Sequence, residues 1–331
     1  MHNLIYTTFA IPRKTELDTL LLIESIRTFG GELSDNPLWV LIPAGFDPLT
    51  EPTQEKLDQL KVQIIPFEAR PEILKFPFAA KIEALASIEA QAQEQAKRLV
   101  FMDRDTILLQ EPTEFLISAD QALGYRPVHH KLIGSDWSAP LDDFWQLIYE
   151  VCDVSDEKLF PMWTHTGEQI RPYFNAGMFI LRPERGLLAQ WQEVFLKWYR
   201  QPPFQAYYEK DQLYAIFIHQ AIFSGVLLQA LSPEEMYELS PKINYPLHLH
   251  HEIPIEKRPT TINELITVRH ENIFDEPGWQ QLPITEPHKS WLETQLPDIK
   301  NHLGLLSRPS TIDENPGSGD KARGLAGQKD N

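Results

Sequence analysis

The stretch from Arg98 to Leu109 constrains this chain more than any other. Leu99, Val100, Phe101 and Met102 form an unbroken apolar run, the pattern of a strand buried on both faces. The run stops at Asp103-Arg104-Asp105. Alternate side chains of an extended chain share a face, so Asp103 and Asp105 point one way and Arg104 the other. Two carboxylates at the carboxyl end of a buried strand can hold a hard divalent cation. Mg²⁺ or Mn²⁺ takes one or two carboxylates and completes its shell with water and substrate phosphates. The ligand implied is a metal-bound diphosphate; the alternative is an ordinary loop in which Asp103 caps a turn.

The chain ahead of this stretch alternates strands and helices. Leu4 to Phe9 reads as a first buried strand, and Thr15 to Thr28 as a helix with a broad apolar face, ended by Gly30-Gly31. Leu38 to Pro43 is a second strand, Gln54 to Leu60 a short helix and Val62 to Pro66 a third strand. A further helix follows Phe76-Pro77-Phe78 and runs through Lys97, with Lys81 in its first turn. This alternation predicts a mostly parallel, doubly wound sheet, in which ligands sit at the carboxyl ends of the strands. Tyr6-Thr7-Thr8-Phe9 and Asp103-Arg104-Asp105 lie at two such ends and can face one pocket. Lys81 reads either as a solvated lysine or as a cation aimed at phosphate.

Composition narrows the function. The 331 residues carry 47 acidic against 30 basic side chains, a formal charge of -17, which repels nucleic acid and anionic lipid. An anionic sugar nucleotide meets the same repulsion unless a metal or local Lys and Arg neutralise it. Cys152 is the one cysteine, so neither a disulfide within the chain nor a cysteine metal site is expected. The first ten residues are too polar for a signal peptide, and the default expectation is a cytoplasmic protein. Leu213 to Leu231 is the longest uncharged stretch, but it contains His219, Gln220 and Gln229. It reads as a buried helix followed by a strand, not as a membrane span.

The second half holds three further candidate stretches. Tyr173 to Pro183 reads as a small-residue turn feeding a buried strand, with Gly177 allowing close approach of a ligand and Asn175 able to hydrogen-bond it. Asp211-Gln212 opens the apolar helix, either as a cap or as a carboxylate facing acceptor hydroxyls. In Asn244 to His251, His248 and His250 share a face if the chain is extended, and either could complete a metal site with Asp103 and Asp105. His129 and His130 are adjacent, point apart and make a poor metal pair. Trp137, Trp145 and Trp163 could stack on sugars but more often serve as core or anchors. Residues 304–331 are too poor in apolar side chains to fold and read as a disordered tail after a domain over 1–303.

Taken together, these stretches resemble a GT-A type glycosyltransferase, closest to glycosyltransferase family 8. The family's Asp-x-Asp motif matches Asp103-Arg104-Asp105, with Arg104 where many members carry a smaller residue. Its Phe-Asn-Ala-Gly segment matches Phe174 to Gly177, and its Asp-Gln pair matches Asp211-Gln212. A late histidine matches His248 or His250, without the Gly and Lys-Pro-Trp that often follow. The resemblance covers about residues 3 to 260. It implies a Rossmann-like mixed sheet, Mn²⁺ or Mg²⁺ on Asp103, Asp105 and the late histidine, and a nucleotide-diphosphate sugar donor, with UDP the commonest. It further implies nucleotide contacts from Tyr6, Thr7, Thr8 and Phe9, donor contacts from Lys81, Arg104, Ala176 and Gly177, and sugar or acceptor contacts from Asn175, Asp211 and Gln212. The reaction implied is hexosyl transfer to an unspecified glycan, lipid or small molecule. Two other classes stand beside it: a catalytically silent sugar-nucleotide or glycan binder, and a zinc-dependent hydrolase built on His248, His250 and His251.

Overall fold

A computed structural model describes residues 1–271, 273–275 and 282–303; the segment read as a tail lies outside the described residues. In chain order the first half runs β1 (Ile5–Phe9), α1 (Glu16–Phe29), β2 (Leu38–Pro43), α2 (Glu51–Gln59), β3 (Gln63–Phe67), α3 (Pro71–Leu74), α4 (Ala79–Gln95), β4 (Leu99–Met102), β5 (Thr106–Leu108), β6 (Leu123–Pro127) and α5 (Asp143–Cys152). The second half runs β7 (Met162–Trp163), β8 (Gln169–Ile170), β9 (Phe174–Leu181), α6 (Leu187–Trp198), α7 (Pro202–Lys210), α8 (Gln212–Ala230), β10 (Met236–Glu238), β11 (Tyr245–Pro246), β12 (Thr267–Arg269) and α9 (His288–His302).

The central sheet has seven strands in the order β10-β6-β9-β4-β1-β2-β3. β4, β1, β2 and β3 are mutually parallel, and β9 enters antiparallel between β4 and β6. Strand direction leaves no trace in a local apolar pattern, so the antiparallel β9 was not visible beforehand. The apolar run of β4 is needed because alternate residues feed opposite cores. Leu99 and Phe101 join the cluster under α4, α5, α6 and α8, while Val100 and Met102 join the one under α1, α2 and α9. All four are fully buried. Burial of such a side chain contributes about 1.5–3 kcal/mol.

Two stretches differ from their expected form. Phe174 to Leu181 is strand throughout, so Asn175, Ala176 and Gly177 lie within β9 and are not a turn. The stretch from Leu213 to Leu231 is helical up to Ala230, with no strand following inside it. Ser224, despite its low helix propensity, donates back to the Gln220 carbonyl at 2.9 Å and accepts from the Phe174 N–H at 3.0 Å, which ties α8 to β9. Among the described helices α8 is long and apolar enough to cross a membrane, yet 61% of that window is buried within the protein.

A small three-stranded sheet, β11-β12-β5, decides the geometry of the site. β12 pairs antiparallel with β5, placing Arg269 opposite Thr106. The His270 N–H then donates to the Asp105 carbonyl at 2.9 Å. A residue some 160 positions later is thereby pinned beside the Asp-x-Asp segment by backbone pairing.

Candidate active site

The site begins where β4 ends. The Asp103 N–H donates to the Gly177 carbonyl at 2.7 Å, one step past the Met102–Met178 pair. This continues the β4–β9 ladder, so the Asp-x-Asp and Asn-Ala-Gly segments face each other across one pair of strands. The chain then turns at Arg104 and Asp105 before entering β5. The expected sharing of a face by the two carboxylates holds, but through this turn and not through an extended run.

Both carboxylates meet one guanidinium. Arg269 Nη1 donates to Asp103 Oδ2 at 2.8 Å and Arg269 Nε donates to Asp105 Oδ2 at 3.0 Å. Lys81 approaches Asp103 from α4, its Nζ lying 3.1 Å from Oδ1 and 3.3 Å from Oδ2, and donates also to the Ala176 carbonyl at 3.1 Å. Lys81 is 2% exposed and its three protons are spent on these partners. Burial draws its pKa down, against the opposing pull of Asp103. Burial would raise the Asp105 carboxyl, but Arg269, His270 and Arg104 outweigh it and hold that pKa below the usual carboxylate value. Burial works against the Arg269 charge, and Asp105 and Asp103 overcome it, so the guanidinium is held even more firmly protonated than usual.

Lys81, Asp103 and Arg269 line a cavity of about 100 Å³ that opens to solvent. Its walls include Asn175 and Gly177 from β9, Gln220 and His219 from α8, and Phe78 ahead of α4. Asn175 Oδ1 accepts from the Gly177 N–H and Gln220 Oε1 accepts from the Ala176 N–H, each at 2.8 Å. Each amide thus spends its oxygen on β9 and keeps its NH₂ group for other partners. His219 Nδ1 donates to the Ile216 carbonyl at 2.9 Å, which fixes the tautomer. Burial, reinforced by the nearby Lys81, keeps this ring neutral. Phe78 takes a left-handed backbone (φ 58) and stacks on the His219 ring at 4.7 Å. A non-glycine residue held there is strained, as cavity-forming residues often are.

A profile of the Rhodobacterales glycosyltransferase domain matches residues 9–215, which contain the Asp-x-Asp, Asn-Ala-Gly and Asp-Gln segments. The chain belongs to this glycosyltransferase family. The bifunctional glycosyltransferase WbbM is similar in structure, with a TM-score of 0.51 at 10% identity over 82% of this chain. The chain spans 46% of WbbM's length, and the likeness is one of fold. The galactosyltransferase LgtC, solved with donor and acceptor sugar analogues, aligns over 93% of this chain and 98% of its own at 10% identity and a TM-score of 0.45. GlyE of Streptococcus pneumoniae aligns over 93% of this chain and 64% of its own at 12% identity, with the same TM-score of 0.45. No curated sequence matches this chain. Fold and family together make it a GT-A type glycosyltransferase.

Within that family frame, the expected site residues fall into two groups. Lys81, Asp103, Asn175, Gly177 and His248 line the cavity together. Asp105 adjoins it through Arg269, and Ala176 lends its backbone to Lys81 and Gln220. The others lie elsewhere. Tyr6, Thr7 and Thr8 are buried in the sheet, and Phe9 packs on Phe67 at 5.9 Å. Arg104 turns to Asp18 of α1 at 3.8 Å. Asp211 caps α8 by accepting from the Leu213 N–H at 2.9 Å, Gln212 is exposed, and α8 reaches the cavity one to two turns later through Phe217, His219 and Gln220.

The histidine expectation needs correction. Residues 247–249 form a 3₁₀ turn, so His248 and His250 do not share a face. His248 lies 3.3 Å from Glu271, whereas His250 pairs with the Tyr245 hydroxyl at 2.9 Å. Among the described residues no three His, Cys, Asp or Glu side chains are placed to hold a metal. Trp145 is core, and Trp163 is exposed under Lys257. Arg269 was the residue sequence reasoning missed; β12 spans three residues and carries no periodic signal of its own.

Proposed function

We propose that this glycosyltransferase moves a sugar from a nucleoside-diphosphate sugar, a UDP-sugar in the first instance, to a hydroxyl acceptor. The observation that carries the reading is the Arg269 guanidinium. It lies on the cavity floor, is fixed by two aspartates and is 18% exposed at its side chain. Its Nη2 has no partner among the described residues. As the glycosidic bond breaks, negative charge gathers on the leaving diphosphate. A preorganised guanidinium with unspent donors stabilises that charge without having to reorient. Lys81 acts one step behind: its protons are committed, and it holds Asp103 in place while contributing positive potential. Asn175 and Gln220 offer amide donors to sugar hydroxyls, and the neutral His219 ring lies where an acceptor hydroxyl can approach.

The test is donor turnover by the full chain with UDP-, GDP- and ADP-sugars, taking a CMP-sugar as the monophosphate control. Release of nucleoside diphosphate, lost in Arg269→Met, supports the reading. Turnover of the CMP-sugar alone, or none with any donor, rejects it. The hydrolase reading loses its basis in the separation of His248 from His250 and His251.

A further inference from the structure

We propose that Arg269 stands in the cation position of the Asp-x-Asp motif, so that this site takes a nucleoside diphosphate without a divalent metal. The second half of that statement rests on the function proposed above; the first half does not.

The residues present do not fit Mn²⁺ or Mg²⁺. Mg²⁺ needs near-octahedral oxygen ligands at roughly 2.0–2.1 Å. The Oδ2 atoms of Asp103 and Asp105 are instead both turned onto the guanidinium, which leaves Asp105 Oδ1 as the one oxygen of the pair with no hydrogen-bond partner among the described residues, too few to cage a divalent ion. Asp103 Oδ1 is engaged by Lys81 at 3.1 Å. His248, one of the two expected third ligands, lies against Glu271, and His250 is turned to Tyr245. Charge leads to the same conclusion. Two carboxylates already face two cations, and a divalent ion would add positive charge beside a guanidinium that does not deprotonate in proteins.

The arrangement is built in, not a side chain that happens to swing across. Arg269 is a strand residue whose backbone is registered against Thr106, next to Asp105. The space for its head comes from Gly177. A Cβ on that glycine would lie 2.2 Å from Arg269 Nη1 and 2.7 Å from Asp103 Oδ2. The glycine expected to admit a ligand therefore admits the guanidinium. A planar fork meeting two separate carboxylates gives two charge-assisted bonds in a fixed geometry, which a lysine at the same place would not.

The experiment is a Mn²⁺ titration of the nucleotide-free full chain, followed by electron paramagnetic resonance of free Mn²⁺. The wild type should show no site that depends on Asp105. Arg269→Ala should gain one, binding Mn²⁺ at least tenfold tighter, and Arg269→Ala with Asp105→Asn should lose it again. One equivalent of Mn²⁺ bound by the wild type and lost in Asp105→Asn overturns the proposal, whether or not Arg269→Ala folds. So does a folded Arg269→Ala that gains nothing. Calorimetry with UDP in EDTA and in Mn²⁺ separates the two readings. Equal affinity in both supports the proposal, and Mn²⁺-dependent affinity overturns it. Absence of nucleoside diphosphate binding under both conditions defeats the donor reading while the Mn²⁺ titration still decides the role of Arg269.

Discussion

Glu16, at the start of α1, and Asp103, just past the end of β4, are both buried carboxylates, yet their surroundings differ in kind. Glu16, 5% exposed, accepts from the Arg13 and Thr50 N–H groups at 2.9 and 3.0 Å and from the hydroxyls of Thr50 and Thr53. Burial would raise its pKa, and these hydrogen bonds together bring it below the usual value. Every partner is neutral and none lines the Asp103 cavity. Glu89 is also held by neutral donors, the Leu188 and Ala189 N–H groups at the start of α6, but there burial outweighs them and its pKa is raised. Asp103 is instead held by two cations, one of which keeps unspent donors beside open space. Neutral donors lock a carboxylate into the fold. Cations with donors to spare make a carboxylate pair into scaffolding for an anion.

The largest expected effect breaks this contrast most directly. Asp103→Ala leaves Lys81 and Arg269 facing each other with half their countercharge, at a cost of about 3–5 kcal/mol in urea unfolding. Glu16→Gln leaves only neutral groups short of an acceptor, at a cost of about 1–3 kcal/mol. Equal losses for the two variants would erase the distinction.

Gly177→Ala probes the cationic region from its floor. The new methyl collides with Arg269, so the variant should lose about 1–3 kcal/mol of stability through overpacking. It should also lose donor binding to the same extent as Arg269→Met. Unchanged nucleotide affinity in a folded Gly177→Ala would show that the guanidinium position is not what the ligand reads.

A third test uses pH. His129, His165 and His219 are buried, and burial is the main cause that keeps each below the usual histidine value, to about 3 for His165. Below pH of about 6.5 the unfolded chain takes up protons that the folded rings refuse. Stability is therefore full above that pH and falls as the pH drops toward the folded-state value. Each ring contributes a slope of about 1.4 kcal/mol per pH unit. His165→Phe should flatten the stability profile between pH 6 and 4 by about that much, read by denaturant titration at each pH; an unaltered slope would mean the ring titrates freely. The smallest effect belongs to Arg104→Ala, which breaks the partly exposed pair with Asp18 and removes a positive charge near Asp105 that ranks after Arg269 and His270, and should cost less than about 1 kcal/mol in thermal unfolding.

Much of this architecture was legible because it is local. β1, β2 and β4, the helices α1 and α4, and the place of Asp103 at the end of β4 follow from apolar runs and their interruptions, whereas Asn175 and Gly177 line the cavity from within a strand where a turn was expected. Arg269 was hidden because it reaches Asp105 through a short antiparallel pairing across more than a hundred and sixty residues, which no window on the sequence contains. His248 and His250 misled because a 3₁₀ turn replaces the extended chain that would have aligned them. Asp211 and Gln212 marked the right helix but its wrong end: the cavity is met by Phe217, His219 and Gln220 further along.

The most direct measurement of the central claim is the affinity of UDP for the wild type and for Arg269→Met, by calorimetry in EDTA. The account predicts binding to the wild type without metal and a loss of at least about tenfold in the variant, the worth of one to two charge-assisted hydrogen bonds. Equal affinity in the two proteins, or binding that appears only when Mn²⁺ is added, would contradict it.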